Sequence, residues 1–205
     1  MDQEKYIEDL KDIKDIMNRS SRFISLSGLS GVSAGVFALI GAYFAYETVY
    51  YNQDYFEYRR AIVNYTSVKN LLIIASLTLI SALGSGIFFT YLKAKKNKQK
   101  LWDFQSKRLV LNLLLPLGTG GILCLILLYH NYINILAPLT LIFYGLALIN
   151  ASKYTLGEIR SLGMVEIILG LLGAAFVGYG MLLWAIGFGV LHIVYGITMH
   201  LKYKS

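Results

Sequence analysis

The chain alternates long apolar runs with short polar connectors, and the runs are longer than a water-soluble core requires. From Leu109 to Ser152 there is no Asp, Glu, Lys or Arg, and from Ser161 to Leu201 only Glu166 interrupts the pattern. A bilayer core about 30 Å thick takes roughly 20 apolar residues as a helix, at about 1.5 Å per residue. Each stretch therefore has room for two spans. The whole pattern predicts an all-α, polytopic membrane protein whose transmembrane domain, 23–201, holds six transmembrane helices over 23–46, 71–92, 109–128, 133–149, 161–179 and 182–201. Polar segments bound the first three. The rest are set apart by short breaks at Tyr129–Tyr132 and around Gly178–Gly180, where aromatic and small residues suit tight turns at headgroup level. Five spans, with one break absorbed into a re-entrant segment, is the alternative.

Ahead of the first span, residues 1–22 have a different pattern. Tyr6, Leu10, Ile13 and Met17 follow 4-3-4 spacing among Lys, Asp and Glu, which predicts a short N-terminal amphipathic helix with a heptad-like seam. Two heptads are too few for a stable free helix. The segment must lie on the membrane, dock on the loops, or join a homodimer or protein partner through residues 1–17. Between the first two spans, Tyr50, Tyr51, Tyr55, Tyr58 and Tyr65 suit an aromatic belt or a contact surface.

Charge sets the orientation. An even number of spans puts both termini, the loops at 93–108 and 150–160, and the tail 202–205 on one side. That side holds sixteen of the 19 lysines and arginines, against Arg59, Arg60 and Lys69 on the other. By the positive-inside rule both termini are cytoplasmic. The net charge of +7 then needs no nucleic-acid partner. The basic run from Lys93 to Arg108, opposed only by Asp103, fits anionic lipid at the bilayer surface, worth about 1 kcal/mol per residue.

Small residues recur with helical spacing. Ser27, Gly31 and Gly35 form a packing seam on span one, and Gly170, Ala174 and Gly178 another on span five. Without a hydrophobic force between helices in lipid, such seams supply association by close backbone approach, within one bundle or across a homodimer. In span three, Pro116, Gly118, Gly120 and Gly121 predict a helix break, either a simple kink or the lining of a cavity. Spans three and four overlay on five and six at an offset of 51 residues, Ile142 on Ile193 and Tyr144-Gly145 on Tyr195-Gly196. This points to three repeated helical hairpins. Gly121 opening one helix, Pro138 early in the next and Tyr144-Gly145 near its end resemble the six-span HdeD-type acid-resistance membrane proteins, and equally other small bacterial membrane proteins of this size. The resemblance covers 109–201 and implies the bacterial cytoplasmic (inner) membrane. It transfers no functional residue, and the N-terminal helix and tyrosine-rich loop have no counterpart in it.

Chemistry is sparse. Cys124 is the only cysteine and sits in an apolar run. No His-Glu-x-x-His, Gly-x-Ser-x-Gly or phosphate-loop motif is present, so the pattern predicts no enzyme and no cofactor. The candidate intramembrane polar site is Glu166, His192 and Asn112. A carboxylate in lipid must face the bundle, take a proton or find a partner. Asn112, at similar depth, is a candidate hydrogen-bond partner for it. The expected function is a sensory, regulatory or accessory interaction subunit. A small proton- or ion-coupled transporter or channel using Glu166 and His192 is the alternative.

Overall fold

The computed structural model describes residues 27–50, 64–98, 102–176 and 178–203. The predicted helix over 1–22, the start of span one and most of the tyrosine-rich loop lie outside the described residues. Those described form helices and their connections, with no strand among them. The helices are α1 (Gly28–Val49), α2 (Tyr65–Lys96), α3 (Phe104–Tyr129), α4 (Leu136–Ala151), α5 (Glu158–Ala175) and α6 (Gly180–Lys202). Long and apolar enough to cross a membrane are α1, α2, α3, α6 and the helical stretch Ile133–Tyr154 that contains α4, while α5 is not. In its 18 residues α5 carries Glu158, Arg160 and Glu166.

Local chemistry explains the helix ends. Asn64 caps α2 by accepting the Ser67 N–H at 2.8 Å. Asp103 and Ser106 close a capping box on α3, each side chain bonding the other's backbone N–H. At the far end of α3, the N–H of Tyr132 bonds the Leu127 carbonyl and that of Asn131 the Leu128 carbonyl. Asn131 stands at φ 62°, taking the left-handed place that glycine usually fills in this C-terminal motif. Gly178, at φ 98°, turns the chain from α5 into α6.

Two features differ from the sequence expectation. Pro116 lies inside a continuous α3, and Gly118, Gly120 and Gly121 continue the helix. Gly120 is buried against Phe143 of α4, while the space beside Gly118 and Gly121 is open. The irregular helix is α6, whose middle, Ala185–Leu191, winds as a π-helix.

The centre of the fold is α4 on α5 and α6 on α1, with α2 resting on α1 and α3 on α4. The two central contacts repeat one register. On α4, Pro138, Ile142, Gly145 and Ile149 meet Gly163, Ile167 and Gly170 of α5. On α6, Gly189, Ile193, Gly196 and His200 meet Gly28, Val32 and Gly35 of α1. The offset of 51 relates α4 to α6, and an offset of 135 relates α1 to α5, Gly28 to Gly163 and Gly35 to Gly170. In both pairs a Cβ on the glycine would collide with the partner helix's backbone, so only glycine permits the approach. The seam of Ser27, Gly31 and Gly35 is thus spent inside the chain. Ser27 is buried, and a Cβ on Gly31 would stand 3.2 Å from the His192 carbonyl oxygen.

Candidate functional site

Glu166 falls two turns into α5, roughly 12 Å along the axis from Glu158 at 1.5 Å per residue. It is fully buried, 0% exposed, and neither carboxyl oxygen has a hydrogen-bond partner. Its ionisable neighbour is His192 of α6, with Nδ1 at 3.5 Å from Oε1. That distance suits a charge pair and exceeds the usual hydrogen-bond length. Gly187 covers the other oxygen so closely that a Cβ there would collide with Oε2 and with Leu141.

The partners of His192 fix its proton. Nδ1 lies 3.0 Å from the Gly187 carbonyl oxygen. A carbonyl only accepts, so Nδ1 carries the hydrogen. Nε2 of the neutral ring then accepts, and the Tyr144 hydroxyl of α4, 2.7 Å away, donates to it. Tyr144, His192 and Glu166 therefore join α4, α6 and α5. With Nδ1 already protonated and Nε2 occupied by Tyr144, the exchangeable proton is the carboxyl's own: with it the pair is a neutral acid beside a neutral imidazole, and without it a carboxylate beside the Nδ1–H.

The π turn shapes this site. A wider turn carries an extra residue, and in Ala185–Leu191 glycines at 187 and 189 leave room for Glu166 on one side and Leu39 of α1 on the other. Phe188 stacks on His192 with ring centres 5.9 Å apart and packs on Tyr144 and Trp184. Trp184 is held in turn by its Nε1–H, which donates to Thr140 Oγ1 at 3.0 Å.

Tyr144 also packs against a buried apolar cluster of Leu148, Leu156, Ile159, Leu162 and Met199. Two polar links between α5 and α6 flank this cluster. Tyr195 donates to Ser161 Oγ at 3.0 Å. Beyond it, Glu158 Oε1 accepts from Lys202 Nζ at 2.6 Å and from the Tyr203 hydroxyl at 2.9 Å. Partial burial opposes ionisation of Glu158, but the hydrogen bonds from Lys202 and Tyr203 outweigh it and hold the carboxyl below the usual carboxylate range.

Of the predicted polar residues, the structure brings Glu166 and His192 together and keeps Asn112 apart. Asn112 Nδ2 donates to the Arg108 carbonyl, and its own carbonyl accepts from Asn150 of α4. The reason is topological: α3 packs on α4, away from α5. Sequence reasoning did not find the roles of Tyr144, Gly187 and Phe188. Their signal was present in the Gly187-Phe188-Gly189 run, five residues before a histidine, and in the repeated Tyr-Gly pair. Among the described residues no cluster of His, Cys, Asp and Glu has the make-up of a metal site. Compared with known proteins, the chain matches no family model, no curated protein and no solved structure.

Proposed function

We propose that this chain is a six-span protein of the cytoplasmic membrane, of the sensory or regulatory kind, with both ends inside and a state set by protonation of the Glu166–His192 pair. The observation that carries the reading is the fully buried Glu166 carboxyl, without a hydrogen bond and 3.5 Å from an imidazole. In a low-dielectric interior the energy of such a pair depends strongly on where its proton sits. The titratable groups around Glu166 are His192 on α6 and Tyr144 on α4, and α1 faces His192 with Gly31. A hard cation needs several oxygen ligands at once, and the Gly187 carbonyl is already bonded to His192. The ligand that fits is a proton.

The consequence of protonation is mechanical. When Glu166 gives up its proton to solvent, the carboxylate left behind draws the Nδ1–H toward Oε1 and away from Gly187, which loosens the π turn and the Phe188 stack; taking the proton back restores both. Trp184 reports that change. In vesicles, with Trp102→Phe to isolate the signal, Trp184 fluorescence is expected to titrate with pH, and Glu166→Gln to abolish the transition. A pH-independent signal in the parent protein would remove the proposal.

A proton-coupled transporter is the second reading, favoured by a carboxyl and an imidazole meeting at a π turn inside the bundle. Proton flux into dye-loaded vesicles that stops with Glu166→Gln would select it over the sensor.

A further inference from the structure

Consecutive helices α2 and α3 are joined by the short segment 97–103 and yet do not pack as α4 does on α5 or α6 on α1. The register of the tight pairs explains why. Shifted by 51, the α5 positions Gly163, Ile167 and Gly170 fall on Asn112, Pro116 and Thr119 of α3. None of these admits a neighbouring backbone. Within the apolar stretch of α2, 0% of residues are buried, and within that of α3, 6%. Nothing lies within 4 Å of where a Cβ would stand on Gly84 of α2 or on Gly118 of α3.

Where the two helices are joined, basic residues cluster. Lys95, Lys96 and Lys98 close α2, and Lys107 and Arg108 stand in the first turns of α3. Asp103, the acid nearest them in the sequence, is engaged in its cap, with Oδ1 accepting the Ser106 N–H at 2.7 Å. Arg108 lies over the Phe104 ring at 4.2 Å, which anchors the guanidinium by its face and leaves its N–H edges for an anion. Positive charge at the rim above an exposed apolar surface matches one molecule, an acidic head on two hydrocarbon tails.

We infer that the open side between α2 and α3 seats an anionic phospholipid, its phosphate held by Lys95, Lys107 and Arg108 and its acyl chains lying along the exposed faces of the two helices. The seat is independent of the proton site. Trp102, exposed between the two helices, is the probe.

The full chain is reconstituted in phosphatidylcholine vesicles containing a small fraction of brominated phosphatidylglycerol or brominated phosphatidylcholine. Quenching of Trp102, taken as the difference from Trp102→Phe, measures local lipid. The expected result is stronger quenching by the anionic lipid, with the preference falling roughly 5-fold for each of Lys95→Gln, Lys107→Gln and Arg108→Gln. Gly118→Leu, which fills the apolar side without touching charge, lowers quenching by both lipids. Equal quenching by the two lipids, or a preference that survives the triple charge substitution, overturns the inference. Cross-linking of α2 to α3 between two copies in phosphatidylcholine alone overturns it too, because a second chain would then occupy the space.

Discussion

The α4–α5 and α6–α1 pairs use one glycine register twice and differ in its middle. Where α5 carries Glu166, α1 carries Gly31, and where α6 carries His192, α4 carries Leu141. The contact with Gly31 shows that the register closes without a carboxyl, and Leu141, fully buried, shows that it closes without an imidazole. Packing therefore asks for neither polar residue. One from each pair meets at the centre of the bundle, 3.5 Å apart, with a carboxyl that no hydrogen bond satisfies. Groups that the architecture can do without, and that cost stability where they stand, point to function.

The largest effect should come from making one pair resemble the other at a single position. His192→Leu copies the residue of α4 but strands the Glu166 carboxyl, and losing one partner of a buried pair costs about 3–5 kcal/mol. Adding Glu166→Met, an apolar side chain of similar length, should recover most of that loss, because an apolar replacement of a buried pair is often neutral or stabilising. Thermal unfolding in micelles measures both. A double variant no more stable than the single one would mean that the pair supports the fold rather than a switch.

Next come the glycines. Gly28→Ala and Gly163→Ala occupy equivalent places, and in each the new methyl meets a backbone carbonyl of the facing helix. They should lose similar stability, roughly 1–3 kcal/mol each. Gly84→Ala and Gly118→Ala, where nothing faces the new methyl, should gain about 0.5–1 kcal/mol from helix propensity. A cost at one of the equivalent glycines and none at the other would break the repeat.

The smallest effect lies at the Glu158–Lys202 link, whose places in the other pair's numbering fall on the uncharged Phe23 and Ala151, and which is partly solvated. The folded carboxyl titrates below its unfolded value, so the link stabilises above the usual carboxylate range and its contribution fades as pH falls through the folded value. Glu158→Gln should therefore be less stable than the parent at neutral pH, and the two unfolding temperatures should converge in acid. A difference that grows on acidification contradicts this assignment.

Much of the fold was legible because it follows from hydrophobic length. The apolar runs marked the helices to within a few residues, and the uncharged aromatic and glycine breaks marked the turns at Asn131 and Gly178. The offset of 51 was readable from Ile142, Tyr144 and Gly145. Its counterpart at 135 was not, because α1 and α5 share only small residues at matching places, and small residues are common in any membrane helix. Pro116 misled for a physical reason. Proline removes one hydrogen bond from an otherwise strong helical run, and α3 tolerates that loss without breaking. The π turn left no such mark, since two glycines in an apolar segment look alike in either winding. Glu166 and His192 stood out as isolated polar residues, but that they meet depends on which helices are neighbours.

The central claim is that the Glu166 carboxyl gains and loses its proton while the bundle stays assembled. Infrared difference spectroscopy of membrane-embedded protein with 13C-labelled glutamate, stepped in pH, reads that proton directly. A carboxylic C=O band that is absent in Glu166→Gln and changes amplitude in step with Trp184 fluorescence is the result predicted. A Glu166 band that holds constant while the fluorescence changes would contradict the account.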